Sequence, residues 1–299
     1  MTGIICVNKD KDITSFGVVA KVRGICKEKK VGHTGTLDPM ATGVLPIMLG
    51  GATRFLNHLP DSDKGYRASF VLGKTTDTLD ITGEVTGEFE VRVGTREVRE
   101  ALENFKGEIS QIPPMFSAKS VDGVRLYELA RKGKTVEREA CRVEIKSLEL
   151  IDFDENANSY TIDVLCSKGT YIRSLIDDIG RLLGCGAVMT SLVRTRAMGF
   201  GLEDCVSLEQ LQGLKDGGES FDGILHSVDS LFADYKKVGV TPAQATRFFN
   251  GGSLDISRVR ADLKTDEICT VYGGDRGFLG LGQRKNDELR VLRILALNK

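Results

Sequence analysis

The stretch of residues 32–43 constrains the fold more than any other part of this sequence. It reads GHTGTLDPMATG and places three glycines, one histidine and one aspartate within twelve residues. No apolar periodicity runs through it, which disfavours a regular helix or strand. Pro39 biases Asp38 toward an extended backbone, and the glycines permit turns or close backbone approach. The pattern predicts a loop that presents the Asp38 carboxylate, a setting where catalytic groups often lie. A structural turn that Asp38 caps is the alternative.

The composition is typical of a globular chain with one large domain or two smaller ones. The chain has 299 residues, of which 41% are hydrophobic, enough for a proper core. Its seven cysteines are scattered without a Cys-x-x-Cys pair, so we expect no disulfide framework and no metal site. Reduced thiols favour a cytoplasmic protein. Because no signal-like opening and no apolar run of about 18 residues is present, we expect no membrane partner.

Basic residues are distributed unevenly, although the net charge is only −1. Residues 1–74 carry eleven Lys and Arg against six Asp and Glu, and residues 117–142 carry seven against four. Residues 168–198 carry five against two. Such a chain can present a basic groove to a nucleic acid while being neutral overall. Solvated surfaces without a nucleic-acid partner are the equally weighted alternative.

Helices and strands are predicted by periodicity without strict alternation along the chain. The first strand is predicted at residues 3–8, and Ser15 is expected to cap a helix that buries Phe16, Val19, Val22 and Cys26. Residues 106–119 are predicted as a loop because they contain Pro113-Pro114. Further strands are predicted at residues 44–49, 66–72, 142–150, 160–166 and 188–195, and further helices at residues 95–105, 121–132 and 170–183.

This order predicts an α+β fold with a largely antiparallel central sheet and flanking helices. From Gly239 onward the pattern changes to one short helix at residues 242–250 and short strands at residues 269–272, 278–282 and 289–294. We therefore predict two domains, a larger one of residues 1–238 and a small β-rich one of residues 239–299.

The motif that contains Asp38 closely resembles the signature loop of the TruB-type tRNA pseudouridine synthases. Two further stretches resemble motifs of the same family: residues 64–68 (KGYRA) and residues 168–175 (KGTYIRSL). The resemblance implies that Asp38 is the nucleophile and that Arg173 pairs with it. It also implies that Tyr66 stacks on the target base and takes part in proton transfer. An ionised aspartate is a competent covalent nucleophile. The sequence leaves open whether Asp38 attacks the ribose or the uracil ring.

The family resemblance also implies substrate-binding residues around this centre. Lys64 is expected to contact phosphates, Tyr171 and Leu192 to line the uracil pocket, and His33 to occupy the space that flipped bases leave. Simple core packing is the alternative for Tyr171 and Leu192, and plain exposure is the alternative for His33. Residues 106–142 resemble an insertion that closes over bound tRNA, and residues 239–299 resemble an RNA-binding PUA domain.

The chain departs from the family's pattern at two places, and a third stretch suggests an unrelated metal site. The family usually has Tyr where this chain has Phe116, and residues 9–15 (KDKDITS) lack the Pro and Gly common there, which leaves the local turn uncertain. Residues 77–83 (DTLDITG) suggest a calcium loop, but their acidic spacing is wrong and a closing glutamate is missing. A turn at the end of a strand is the better interpretation.

The resemblance implies an enzyme that converts the T-loop uridine of tRNA, conventionally numbered 55, to pseudouridine. Isomerisation of this kind involves no redox step, so we expect no metal and no organic cofactor, and we expect a monomer. The first alternative is a catalytic subunit that depends on a guide RNA. The second is an RNA-binding or RNA-folding protein without catalysis, which would have no need of Asp38.

Overall fold

The computed structural model describes residues 1–121 and 123–295. The helices are α1 (Ser15–Cys26), α2 (Thr95–Glu103), α3 (Leu126–Ala130), α4 (Ile172–Leu182), α5 (Leu208–Asp216) and α6 (Pro242–Phe249). The first strands are β1 (Gly3–Lys9), β2 (Val31–His33), β3 (Thr42–Leu49), β4 (Lys64–Leu72), β5 (Lys74–Thr76), β6 (Val85–Glu88), β7 (Gly107–Gln111), β8 (Ser120–Val121) and β9 (Val124–Arg125). They are followed by β10 (Cys141–Asp154), β11 (Ser159–Cys166), β12 (Ala187–Ala197), β13 (Phe200–Gly201), β14 (Lys236–Val240), β15 (Leu254–Asp255), β16 (Ile268–Gly273), β17 (Phe278–Lys285) and β18 (Glu288–Ile294).

A nine-stranded sheet forms the centre of the fold, with seven strands in the order β1-β3-β12-β4-β11-β10-β7. β2 pairs with β3 and β13 with β12 at its margin. Every pairing is antiparallel except that of β3 with β12, which is parallel and short. Apolar residues of α1, α2 and α4 pack with the sheet into one buried core. The predicted α+β fold with a largely antiparallel sheet is confirmed.

The sheet order brings distant motifs together. The loop of residues 34–41 connects β2 to β3, and β12 lies beside β3 with Val193 opposite Thr42. β4 follows on the other side of β12, where Leu192 lies opposite Ala68 and Arg194 opposite Tyr66. Three segments that are far apart in the chain therefore meet at one place on the sheet.

The start of α1 differs from the prediction. Thr14, not Ser15, is the N-cap residue, and its side chain accepts a hydrogen bond from the Gly17 amide. Ser15 is buried, whereas the Phe16 side chain is exposed, at 68% of its surface. The buried face of α1 uses Val18, Val19, Val22 and Ile25. The predicted face was thus wrong at Phe16, because a run of apolar residues does not by itself determine the rotation of a helix about its axis.

The insertion at residues 106–142 also differs in detail. Its first part includes β7, which pairs with β10 from Gln111 opposite Cys141 to Gly107 opposite Ile145. The predicted helix at residues 121–132 is shorter and begins only at Leu126, after the β8–β9 hairpin. Both differences arise from strand pairing, which local periodicity does not reveal.

A second sheet of five strands in the order β14-β16-β17-β18-β15 occupies the C-terminal region. This confirms the predicted β-rich region. It has its own buried core and is also joined to the large sheet, because Leu281 of β17 belongs to the same buried cluster as Ile4 of β1 and Val44 of β3. The predicted boundary at residues 238 and 239 lies inside β14 and stays a prediction. Among the described residues, no helix is long and apolar enough to cross a bilayer.

Candidate active site

The loop that carries Asp38 is fastened by two buried side chains from different elements. Arg194 of β12 is fully buried and donates hydrogen bonds from Nε to the Val44 carbonyl at 2.8 Å, from Nη2 to Gly35 at 3.1 Å and from Nη1 to Thr36 at 3.3 Å. Ser15 Oγ accepts from the Leu37 amide at 2.8 Å and donates to the Leu37 carbonyl at 3.0 Å. These bonds satisfy the carbonyls of Gly35 and Thr36 and both backbone polar groups of Leu37 within the protein.

Lys9 is a further anchor of the same loop. Its Nζ donates to the carbonyls of Asp10 at 2.8 Å, Ile13 at 2.7 Å and Pro39 at 3.0 Å. Burial lowers the pKa of the Lys9 ammonium to about 8, although the Asp10 and Asp38 carboxylates oppose this shift.

The turn of residues 9–15 forms without Pro and Gly because Asp12 adopts the left-handed backbone region, at φ 64°. Its amide donates to the Pro39 carbonyl at 2.8 Å.

Gly43 is required for the close approach of the loop to β12. Its φ is +102°, and a Cβ at this position would lie 2.2 Å from the Arg194 carbonyl oxygen. No L-residue with a side chain fits that contact. The glycine therefore permits the short parallel pairing of β3 with β12 that holds Asp38 beside the sheet.

Asp38 takes part in a three-residue ionic network. Arg173 Nη2 lies 2.9 Å from Asp38 Oδ2, and Arg173 Nη1 lies 3.6 Å from Asp80 Oδ2. The side chains of Arg173 and Asp80 are each only 6% exposed, whereas that of Asp38 is 32% exposed. The predicted pairing of Arg173 with Asp38 is present in the structure. Asp38 is the member of the network that solvent can reach.

Asp80 is the residue of this network that the sequence analysis missed. Its Oδ1 accepts hydrogen bonds from Thr78 Oγ1 at 2.9 Å and from the Thr82 amide at 3.0 Å. Residues 77–83 do form a turn at the end of a strand, between β5 and β6. The Thr-x-Asp-x-Thr pattern of residues 78–82 was the available signal, because hydroxyl groups that flank an aspartate can hold its carboxylate in a fixed position.

The electrostatic environment of Asp38 favours a reactive carboxylate. Burial raises the pKa of the Asp38 carboxyl, and the charge of Asp80 raises it further. The Arg173 guanidinium acts in the opposite direction by its charge and its hydrogen bond. A carboxylate with a raised pKa is more basic and less stabilised by water than an ordinary surface aspartate. The Arg173 guanidinium favours the ionised form of this carboxyl.

The Asp38 carboxylate opens onto a cavity of about 190 Å³. Its walls include Lys64, Tyr66, Tyr171 and Leu192. The volume is smaller than the roughly 300–1,000 Å³ of pockets for drug-sized ligands and suits a single small ring. The structure thus brings together the four predicted residues Lys64, Tyr66, Tyr171 and Leu192 with Asp38 and Arg173.

Two side chains of this cavity have perturbed pKa values. Burial raises the pKa of the Tyr66 phenol, an effect that the charge of Arg194 partly opposes. Tyr66 is therefore a neutral phenol at physiological pH, able to stack and to donate a hydrogen bond. Burial and the Arg194 charge lower the pKa of Lys64, whose ammonium is the second cation near the cavity after Arg173.

His33 lies outside this cavity, on a wider groove of about 870 Å³ that also reaches Asp38. Burial and the Arg194 charge lower the pKa of His33, which favours a neutral imidazole. Arg125, Tyr127 and Arg131 of the insertion line the same groove, and the Arg131 guanidinium lies 5.5 Å from the centre of the Tyr127 ring. A groove with cationic and aromatic groups beside a ring-sized cavity fits a nucleic acid with one base turned out of its stack.

The insertion is tied directly to the ionic network. Arg173 Nη2 donates to the Phe116 carbonyl at 2.8 Å, and Arg173 Nη1 donates to the Thr78 carbonyl at 3.0 Å. Because the contact of Phe116 is made by its backbone, it does not need the hydroxyl that the family's usual Tyr would supply. The departure from the family at this position leaves the network intact.

Comparisons with known proteins agree with these observations. A family model described as TruB family pseudouridylate synthase (N terminal domain) matches residues 23–172, and one described as tRNA pseudouridylate synthase B C-terminal domain matches residues 173–233. The protein named tRNA pseudouridine synthase B from Pseudomonas fluorescens is 43% identical over 290 residues, covering 96% of this chain and 93% of its own. The protein of the same name from Clostridium tetani is 40% identical over 296 residues, covering 99% and 100%.

A solved structure shares the fold at lower identity. A chain of an H/ACA ribonucleoprotein bound to a substrate RNA that contains 2′-deoxyuridine is similar with a TM-score of 0.75. The match has 23% sequence identity and covers 99% of this chain and 85% of that one. This likeness bears on the architecture alone. The two family models and the near-full-length relatives show that the chain belongs to the TruB family of pseudouridylate synthases.

Proposed function

We propose that this protein isomerises uridine to pseudouridine in tRNA, at the T-loop uridine conventionally numbered 55. The observation that carries the proposal is the Asp38 carboxylate, ion-paired with Arg173 at 2.9 Å and facing a ring-sized cavity. The relatives named tRNA pseudouridine synthase B supply the substrate class. RNA of this kind is recognised by shape and by bases that are splayed out of the stack.

The geometry supports a sequence of steps for this reaction. The target nucleotide leaves its stack and places uracil in the cavity, and Asp38 attacks either the ribose C1′ or the uracil C6. The N1–C1′ bond breaks, and the uracil turns within the cavity. If Asp38 is bonded to the ribose, its bond to C1′ breaks as C5 bonds to C1′; if it is bonded to uracil, C5 bonds to C1′ first and the bond from Asp38 to C6 breaks afterwards. C5 loses its proton, N1 takes up a proton, and the Asp38 carboxylate is regenerated. No atoms are gained or lost overall, so no external oxidant or reductant is needed.

Tyr66 is best placed to stack on the base in this scheme. Stacking on an aromatic ring is worth about 1–3 kcal/mol per base, which offsets part of the few kcal/mol needed to extrude a nucleotide. A neutral phenol can take up the C5 proton only if it releases its own proton at the same time. We therefore propose stacking as its main role and leave the proton transfer to the test below.

The remaining predicted residues complete the proposal. Lys64 would bind a polar group of the flipped nucleotide, Tyr171 and Leu192 would pack on uracil, and His33 would occupy space in the RNA loop. The five-stranded sheet of the C-terminal region would add contacts to the tRNA as a PUA-like unit. The sequence-based expectations of a monomer in the cytoplasm, without metal or organic cofactor, stay predictions.

The experiment uses the purified protein alone with an unmodified tRNA transcript. Pseudouridine is mapped at each uridine, and a transcript with cytidine at the target position is the control. We expect one modified site in the T-loop and none in the control. Absence of pseudouridine contradicts the proposal and favours an RNA-binding protein without catalysis. Modification that appears only when a guide RNA is added favours the guide-dependent alternative.

A further inference from the structure

The ring-sized cavity and the wider groove meet along a shared boundary. Six residues line both spaces: Thr36, Leu37, Asp38, Ser117, Ala118 and Arg173. A flipped nucleotide with its base in the cavity and its phosphates in the groove must cross this boundary. The ribose joins the base to the backbone, so the boundary is where the ribose lies.

Ser117 is the residue of this boundary whose unpaired hydroxyl is buried. Its residue is 5% exposed, and its hydroxyl has no hydrogen-bond partner among the residues that the structure describes. A buried hydroxyl without a partner costs about 1–3 kcal/mol, and native proteins contain few of them. An unpaired group at this place is accounted for when a ligand supplies the missing partner.

The position of Ser117 is well defined by its backbone. The carbonyl of the preceding residue, Phe116, accepts from Arg173, and the carbonyl of Ser117 accepts from the Tyr127 amide at 3.1 Å. Ser117 is therefore held between the ionic network of Asp38 and the first turn of α3. Its hydroxyl can rotate, but its backbone holds it on the boundary that Asp38 also lines.

The chemistry of the neighbouring groups indicates which part of the nucleotide Ser117 meets. Phosphates are matched by the cationic side chains of Arg125, Arg131 and Lys64, and uracil by the Tyr66 ring of the cavity. The remaining polar group of the target nucleotide is the ribose 2′-hydroxyl, which both donates and accepts, as serine does. This group also distinguishes RNA from DNA.

We infer that the Ser117 hydroxyl hydrogen-bonds the 2′-hydroxyl of the target nucleotide. The bond positions the ribose beside Asp38 and makes Ser117 a specificity-determining residue for RNA at the target site. This inference rests on the proposed function and deepens it. Thr36 also brings a hydroxyl to the boundary, but Thr36 is exposed to water, whereas the Ser117 hydroxyl is buried and unpaired among the described residues.

The test is a double-substitution cycle between protein and RNA. Wild-type protein and Ser117→Ala each act on two tRNA substrates, one with uridine and one with 2′-deoxyuridine at the target position, and single-turnover rates are measured. We expect each single change to slow the reaction by about tenfold, the size expected for one hydrogen bond. We expect the combined change to be no slower than either single change.

Ser174→Ala is the matched control, because it removes another buried serine hydroxyl, one that donates to the Ile112 carbonyl at 3.0 Å within the protein. In this variant the full effect of the 2′-deoxy substitution should remain. Ser117→Ala should also keep or raise the melting temperature of the free protein, since it removes an unpaired buried hydroxyl, whereas Ser174→Ala should lower it.

Independent, multiplicative effects of Ser117→Ala and the 2′-deoxy substitution would overturn the inference, and so would a Ser117→Ala variant that acts on uridine at the wild-type rate. Either result counts against the inference only when the wild-type protein modifies the uridine substrate under the same conditions. If the wild type forms no pseudouridine at all, the proposed function itself has failed.

Discussion

Replacement of Arg173 by methionine tests the ionic network in the greatest detail. Methionine preserves much of the length and apolar bulk of the side chain and removes its charge. The change leaves the carboxylates of Asp38 and Asp80 without their shared cation and frees the carbonyls of Thr78 and Phe116. Loss of one partner from a buried ion pair typically costs about 3–5 kcal/mol of folding stability.

The effect on activity follows from the pKa of Asp38. Burial and Asp80 already raise it, and Arg173 is the first cause that lowers it. Because an opposite charge nearby favours the ionised form of a carboxyl, its loss should raise the pKa of Asp38 further. Only the ionised form attacks, and activity is lost as the pH falls through this pKa. The acid limb of the pH profile should therefore move to higher pH.

The assay measures kcat/KM for pseudouridine formation from mildly acidic to alkaline pH, with thermal unfolding to verify the fold. Arg181→Met is the matched control on the same helix, because Arg181 is 72% exposed and pairs with Asp177 at 2.8 Å. It should cost less stability than Arg173→Met, because it removes the cation of one carboxylate, that of Asp177 at 7% exposure, rather than of two, and it should leave the acid limb in place. A folded Arg173→Met variant with the wild-type acid limb would refute the reasoning.

Three further predictions concern single side chains. The Tyr66→Phe variant should retain most of the tRNA affinity of the wild type. A large fall in kcat would assign the Tyr66 phenol to proton transfer, whereas an unchanged kcat would leave stacking as the role of the ring. Ser15→Ala should destabilise the protein by about 1–3 kcal/mol in urea unfolding, because the amide and carbonyl of Leu37 both lose their partner. The control is Thr14→Ala, which removes an N-cap hydrogen bond worth about 1 kcal/mol. A loss of stability in Ser15→Ala no larger than in the control would contradict this prediction. Asp12→Gly should stabilise the protein by about 0.5 kcal/mol in the same assay, because glycine adopts φ 64° without strain. Asp10 lies outside the left-handed region, so Asp10→Gly should not stabilise the protein. Equal effects of the two changes would reject backbone strain as the cause.

The sequence carried the information on the site because its motifs are local. The loop of residues 32–43 indicated Asp38 as the candidate nucleophile through its resemblance to a family motif, and the order of strands and helices predicted the largely antiparallel sheet. What the sequence did not reveal depends on contacts across the fold. Asp80 joins Arg173 only because the β5–β6 turn folds over α4, and Ser15 is buried because the Asp38 loop passes over the first turn of α1.

Arg194 is a further residue whose environment local sequence does not reveal. An arginine in a strand is ordinarily expected at the surface. Its complete burial is possible because three carbonyls, two of the loop and one of β3, accept its hydrogen bonds. Those carbonyls come from residues some 150 positions earlier in the chain. No local pattern around Arg194 indicates their presence.

The measurement that tests the central claim most directly compares wild-type protein with Asp38→Asn on the same tRNA transcript. Pseudouridine formation and tRNA affinity are measured in parallel, and a melting curve verifies that the variant is folded. Asparagine preserves the shape of the side chain but cannot attack as a carboxylate. We expect no detectable pseudouridine and an affinity within a few-fold of the wild type. A folded Asp38→Asn variant that still turns over would contradict the assignment of Asp38 as the nucleophile.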